Sequence, residues 1–154
     1  MSADETIFSE PRLTASVVIV TRNRPGPLAR ALDALTRQTL APDEVVVVDN
    51  NSTVSYANVI DRFTGQLPLK VASEAEVGIP FARNRGIRES SGDIVLFTDD
   101  DCVPEPQWVE EMVRPFYRDP HIGAVGGPLI SVGDPDSLVE RFYAAEREAA
   151  RRDH

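Results

Sequence analysis

Thr98-Asp99-Asp100-Asp101 is the sharpest concentration of chemistry-bearing side chains in the chain. Three adjacent carboxylates repel one another unless a cation or solvent offsets the crowding. Their oxygens are natural ligands of hard divalent ions. In an extended or turning segment residues i and i+2 point the same way, so Asp99 and Asp101 can share a face. One then reaches a ligand and the other a metal. The competing reading is a solvated turn in which Asp101 helps to cap the next helix. Asp49 closes a second apolar run, VVVV. It can accept hydrogen bonds from a base or a ribose hydroxyl, or start an Asx-turn with Asn50 and Asn51. Thr21-Arg22-Asn23-Arg24 and Ala82-Arg83-Asn84-Arg85 are local basic patches. The planar fork of arginine suits phosphate. Gly78 and Pro80 place Arg83 just inside a helix start, where free N–H groups also favour an anion. Arg85 and Arg88 read as an exposed helix face.

These residues sit at the ends of a regular alternation. Ser16–Val20, Glu44–Val48 and Asp93–Phe97 are strand-sized apolar runs of the kind buried on both faces of a parallel sheet. Pro68–Ala72 reads as a weaker strand, and Ile122–Val125 as a short fifth one. Helices are expected from Pro27 to about Thr39, over Val54–Phe63, over Ile79–Glu89 with Gly86 inside it, and over Pro106–Tyr117. The stripe of Trp108, Val109, Met112, Val113 and Phe116 belongs to that last helix and reads as core. A charged final helix is expected over Ser137–Arg151. Strands alternating with helices imply βαβ units and a mostly parallel sheet. Ligands bind such sheets at the carboxyl ends of the strands. That is where Thr21-Arg22-Asn23, Asp49-Asn50-Asn51 and Asp99-Asp100-Asp101 fall.

Composition removes several classes. Across 154 residues, 16 basic and 25 acidic side chains give a net charge of −9, against general nucleic-acid binding. An anionic small ligand stays open if a metal or local arginines supply positive charge. One cysteine, Cys102, allows no internal disulfide or cysteine-rich zinc site, and three acids before it disfavour a thiolate. The polar start lacks a signal peptide's pattern, and no apolar run approaches bilayer length. A cytoplasmic chain is expected, with peripheral membrane contact left open. No G-x-G-x-x-G follows the first strand and no phosphate-loop motif occurs, which leaves dinucleotide and P-loop binding unsupported. His121, read as a loop residue, and His154 are the only histidines, against a histidine-dependent triad.

The ordered segments SVVIVTRNRP, EVVVVDNNS and EVGIPFARNRGIRESSGDIVLFTDDDCVPEPQWVEEMV resemble family 2 glycosyltransferases of the GT-A fold. The resemblance covers about residues 14–130. It implies an α/β, Rossmann-like three-layer sandwich that transfers a sugar from a nucleoside diphosphate donor of UDP, GDP or TDP type, as in cell-envelope polysaccharide synthesis. It places Thr21, Asn23 and Asp49 around the base and ribose, with Arg22 and Asn51 as further donor-binding residues. It places Arg83 and Asn84 near the phosphates, Asp99 near the ribose, and Asp101, with Asp99, on Mn²⁺ or Mg²⁺. Asp100 takes a supporting donor-side role. The metal reconciles a −9 chain with an anionic donor.

The family's later acidic motif, which supplies the catalytic base of inverting members, has no credible counterpart. Asp134, Asp136, Glu140, Glu146 and Glu148 read as a solvated charged segment. The expected organisation is a leader over 1–14, a donor-binding domain over 15–132 and a charged helix over 133–154. The acceptor region is absent, the chain being truncated or completed by another. The acceptor, whether saccharide, lipid or protein, stays unassigned. The rival readings are a nucleotide-binding or protein-interaction module without turnover, able to self-associate, and a nucleotidyltransferase, for which TRNRPGP is a poor loop.

Overall fold

The computed structural model describes residues 12–130. Eight elements alternate along them: β1 (Ala15–Thr21), α1 (Pro25–Leu35), β2 (Glu44–Asp49), α2 (Ala57–Phe63), β3 (Leu69–Ser73), α3 (Ile79–Glu89), β4 (Ile94–Asp99) and α4 (Trp108–Arg118). The strands form one four-stranded sheet in the order β3-β2-β1-β4, and every pairing is parallel. This is the α/β, Rossmann-like arrangement expected from the alternation. Successive side chains of a strand point to opposite faces. Val17 and Ile19 of β1 therefore join Val45 and Val47 of β2 in a core covered by α1, α2 and α4. Val18, Val46 and Val48 face the other way, where α3 covers them with Ala82. Burial on both faces explains why the β1 and β2 runs are almost continuously β-branched.

Pro25 and Pro27 stand in the first turn of α1, where no intrahelical N–H is needed. Gly86 stands in mid-helix, where glycine costs about 1 kcal/mol relative to alanine. Its role is close approach: a Cβ at that position would overlap the Val18 side chain. The cost therefore goes into seating α3 against β1.

Several boundaries differ from the sequence reading. The second helix begins at Ala57, not Val54, because Ser52 and Tyr56 are held in a loop network described below. The first helix ends at Leu35, and the Thr39 amide instead donates to the Pro106 carbonyl. The expected fifth strand does not form: Ile122–Val125 has no strand pairing among the described residues, and Gly123 interrupts its apolar pattern. Thr14, expected in the leader, is tied down, its amide and hydroxyl donating to Asp93. The expected helix over 133–154 lies outside the described residues. Among the described residues no helix is long and apolar enough to cross a membrane.

Candidate functional site

The chain moves outward from β1 through β2 to β3 and then returns to the other side of β1 for β4. The strand order therefore reverses between β1 and β4. In open α/β sheets the crevice at such a reversal, outside the carboxyl ends of the strands, is where ligands bind. Thr21 ends β1 and Asp99 ends β4, so both stand at this point. A cleft of about 430 Å³ opens there. Thr21, Arg22, Arg24, Arg83 and the three aspartates 99–101 line it, with Asn50 and Gly78. Its size lies in the ordinary range for small-molecule sites.

The three aspartates are not equivalent. Asp100 turns inward, its side chain only 5% exposed. Its Oδ2 accepts the Thr21 hydroxyl at 2.7 Å, and its Oδ1 pairs with Arg24 Nη1 at 3.0 Å. Burial pushes the Asp100 carboxyl above its ordinary range, outweighing Thr21 and Arg24. Asp101 is 49% exposed and pairs through Oδ2 with Arg24 Nη2 at 2.8 Å. That hydrogen bond holds its carboxyl below the usual range. Asp99 is exposed and pairs with Arg83 Nη2 at 3.2 Å. Arg83 also lies over the Phe97 ring, 5.9 Å from its centroid. The crowding foreseen from the sequence is thus relieved by two arginines from the two basic patches.

One carboxylate oxygen each from Asp99 and Asp101 and the Cys102 sulfur lie within 4.8 Å of one another. The oxygens suit a hard divalent ion such as Mn²⁺ or Mg²⁺. Guanidinium groups already stand as cations beside both carboxylates. The donor set therefore fits the ion through Asp99 and Asp101. Cys102 fits less well, since burial pushes its thiol up and keeps it protonated. This agrees with the inert role read from the sequence.

The turn after β2 holds the rest of the cleft in place. Asp49 Oδ1 accepts the Ser52 amide at 3.0 Å, so the Asx-type turn does form. Asn51 adopts φ +56° and donates to the Ala75 carbonyl at 3.1 Å. Asn23, also at φ +56°, accepts the Thr53 amide at 2.8 Å. Asparagine tolerates this left-handed region better than most residues. The buried Asn50 side chain donates to the Glu74 and Glu76 carbonyls and accepts the Gly78 amide at 2.8 Å. It thereby fixes the segment that starts α3 and carries Arg83. Gly78, at φ +153°, is the conformationally permissive residue of that segment. The Tyr56 hydroxyl accepts the Arg24 amide at 3.1 Å and meets Ser52 Oγ at 2.9 Å.

The structure thus gathers Thr21, Arg22, Arg83, Asp99, Asp100 and Asp101 around one cleft. Asp49 and Asn51 in the turn after β2 and Asn23 in the loop after β1 hold those loops together through their side chains. Asn84 faces a neighbouring groove of about 470 Å³ with Ile79, Ile87 and Phe97. Arg85 and Arg88 pair with Glu89 and Glu74 on the helix surface, as expected. The sequence reading missed Arg24 as the partner of two aspartates, and Asn50 and Tyr56 as positioning residues. Arg24 was signalled by the TRNR patch. Tyr56 falls within the helix expected over Val54–Phe63 and stands instead just before α2.

The parallel sheet with helices on both faces, reversing between β1 and β4, is the arrangement of the GT-A fold. The sequence matches the model of glycosyl transferase family 2 over residues 16–148. The chain belongs to that family. Validoxylamine A glucosyltransferase of Streptomyces hygroscopicus subsp. limoneus is 37% identical over 147 residues, 89% of this chain and 32% of that protein. Glucosyl-dolichyl phosphate glucuronosyltransferase of Haloferax volcanii is 29% identical over 138 residues, 85% of this chain and 44% of that protein. Among solved structures, the mannosyltransferase PcManGT of Pyrobaculum calidifontis, in complex with GDP-Man and Mn²⁺, superposes with a TM-score of 0.66 at 30% identity. That match covers 74% of this chain and 35% of the mannosyltransferase. The chain therefore spans less than half the length of these relatives.

Proposed function

We propose that the cleft between β1 and β4 binds a nucleoside diphosphate sugar together with Mn²⁺ or Mg²⁺, and that this chain supplies the donor half of a sugar transfer. The observation that carries this reading is the pairing of Asp99 and Asp101 with Arg83 and Arg24 at the reversal of strand order. It offers hard oxygen ligands and phosphate-binding forks at one place. Thr21 at the end of β1, Asn23 in the loop after it and Asp49 at the end of β2 are assigned to the base and ribose, with Arg22 and Asn51 as further donor-binding residues. Arg83 and Asn84 are assigned to the phosphates. Asp99 and Asp101 would hold the ion, and Asp100 supports them from beneath. When bound, the ion is a Lewis acid toward the departing diphosphate. The protein's share is orientation: Asn50 fixes the start of α3, and Arg83 is thereby aimed into the cleft.

Inversion at the anomeric carbon follows from family likeness and belongs to this proposal. Its general base must lie at the acceptor hydroxyl. Among the described residues, the carboxylates lining the cleft are Asp99, Asp100 and Asp101, all engaged by arginine or Thr21. The base and the acceptor site are assigned to no residue here. UDP, GDP and TDP, each titrated calorimetrically with and without Mn²⁺, test the reading. Metal-dependent binding of one nucleotide is expected, and it names the donor class. Absence of binding under every condition contradicts the donor site. Binding without transfer to any saccharide, lipid or protein acceptor favours a module without turnover.

A further inference from the structure

Arg24 is the one cleft residue whose side chain engages two of the three aspartates, and it does so unequally. Nη1 reaches the buried Asp100 at 3.0 Å, whose second oxygen already holds the Thr21 hydroxyl. Nη2 reaches the exposed Asp101 at 2.8 Å. The first contact belongs to the fold. The second is open to exchange, because water and ions reach both partners. The Arg24 backbone precedes the first turn of α1, and its amide donates to the buried Tyr56 hydroxyl. The guanidinium is thus tethered beside the acidic run and lines the same cleft.

From this geometry we propose that Arg24 couples the two ligands of the site, opposing a divalent cation that arrives alone and favouring one that arrives with a nucleoside diphosphate. The inference rests on the donor-and-metal reading above. A cation alone must take Asp101 in the presence of a guanidinium that already pairs with it, and two like charges at one carboxylate weaken binding. A diphosphate changes the balance. It offers Arg24 new oxygen acceptors suited to its fork, within the cleft the side chain already lines. Asp101 is then freed for the ion. Coupling of this kind is reciprocal, so the ion tightens the nucleotide by the same factor. Arg83 is a weaker candidate, since it pairs with a single carboxylate at 3.2 Å.

Calorimetry on wild type, Arg24→Gln and Asp101→Asn tests the coupling. The titrants are Mn²⁺ alone, then Mn²⁺ with saturating UDP or GDP. In Arg24→Gln, Mn²⁺ alone is expected to bind at least about fivefold more tightly. The factor by which nucleotide tightens Mn²⁺ is expected to fall by at least about fivefold, the low end of ordinary coupling between ligands. If Mn²⁺ binding is lost in Asp101→Asn but unchanged in Arg24→Gln, the role of Arg24 is overturned and the metal site stands. If Mn²⁺ binds no variant under any condition, both fall. Should Arg24→Gln not fold, the side-chain ¹⁵N signals of Arg24 in wild type give the answer. At a Mg²⁺ concentration too low to bind wild type by itself, they are expected to stay put with Mg²⁺ alone and to move once nucleotide is added. Movement with Mg²⁺ alone, or none with both, overturns the proposal.

Discussion

At the N-terminal edge of the sheet, Glu44 Oε2 accepts the Ser16 hydroxyl at 2.6 Å and the Ser91 amide at 2.9 Å. Asp93 accepts the amide and hydroxyl of Thr14, both at 2.8 Å, and Asp43 accepts the Ala15 amide at 2.9 Å. At the C-terminal edge, Asp99 and Asp101 are held instead by the forks of two half-exposed arginines. Both edges use carboxylates, and apart from Asp43, which also pairs with the exposed Arg12 at 2.9 Å, the partners differ. The amides and neighbouring hydroxyls of the first edge leave only when the fold opens locally. Long solvated arginines can change partner, and surface ion pairs of this kind contribute only about 0–1 kcal/mol to stability. Carboxylates at the first edge are committed to the fold, while Asp99 and Asp101 pair with side chains that can exchange for the proposed ligand.

The sharpest way to break this contrast is Asp101→Asn. Metal-dependent nucleotide affinity is expected to fall about 100-fold, or roughly 2.7 kcal/mol. Tm is expected to stay near wild type, since the side chain is half exposed. Calorimetry beside thermal unfolding checks both halves.

Asn50→Asp probes the link between the sheet and its ligand edge. It keeps the acceptor for the Gly78 amide but removes the donor to the Glu74 and Glu76 carbonyls. A loss of about 1–3 kcal/mol is expected in urea unfolding. A severalfold weaker nucleotide affinity should accompany it, as the start of α3 loosens. Unchanged affinity with lowered stability would remove Asn50 from the site.

Glu44→Gln should behave in the opposite sense to Asp101→Asn. A stability loss of about 1 kcal/mol at pH 7 is expected, with nucleotide affinity unchanged. Burial pushes the Glu44 carboxyl up, but hydrogen bonds from Ser16 and Ser91 outweigh it and hold its pKa below the ordinary value. A lowered folded pKa contributes stability above the unfolded value, about 4.3, and loses it as pH falls through the folded one. Wild type and variant should therefore converge in stability below about pH 4. A gap that persists in acid would show that the Glu44 charge contributes nothing.

Gly86→Ala tests the seating of α3. Overlap with Val18 is expected to destabilise by about 1–3 kcal/mol in denaturant unfolding, as overpacking does.

Much of this arrangement is legible in the residues. The apolar runs in β1, β2 and β4 carry their own signal because both faces are buried. Their polar ends mark the proposed ligand edge without any knowledge of strand order. The i, i+2 spacing anticipated that Asp99 and Asp101 bring carboxylate oxygens within 4.8 Å of each other. Strand order itself was not legible, and it turns the loops after β1 and β4 into one cleft. For the same reason Asp100 reads from the sequence only as a supporting donor-side residue. Its burial against Thr21 depends on a contact 79 positions away in sequence. Tyr56 and Asn50 act through single hydroxyl and amide contacts to distant backbone, which leave no periodic trace. Ile122–Val125 shows the converse. Its apolar residues met the pattern for a strand, but a strand also needs a partner ladder, and none forms among the described residues.

The most direct test of the two-edge account uses Mn²⁺ as a paramagnetic probe of ¹⁵N-labelled wild-type protein, with the nucleotide that binds. The two edges lie about 20 Å apart along six-residue strands. Line broadening is expected at the amides of Thr21, Arg24, Gly78 and Asp99–Cys102, and far less at Thr14, Glu44 and Ser91–Asp93. Equal broadening at both edges, or broadening centred elsewhere, would contradict the assignment of the acidic run to the ligand.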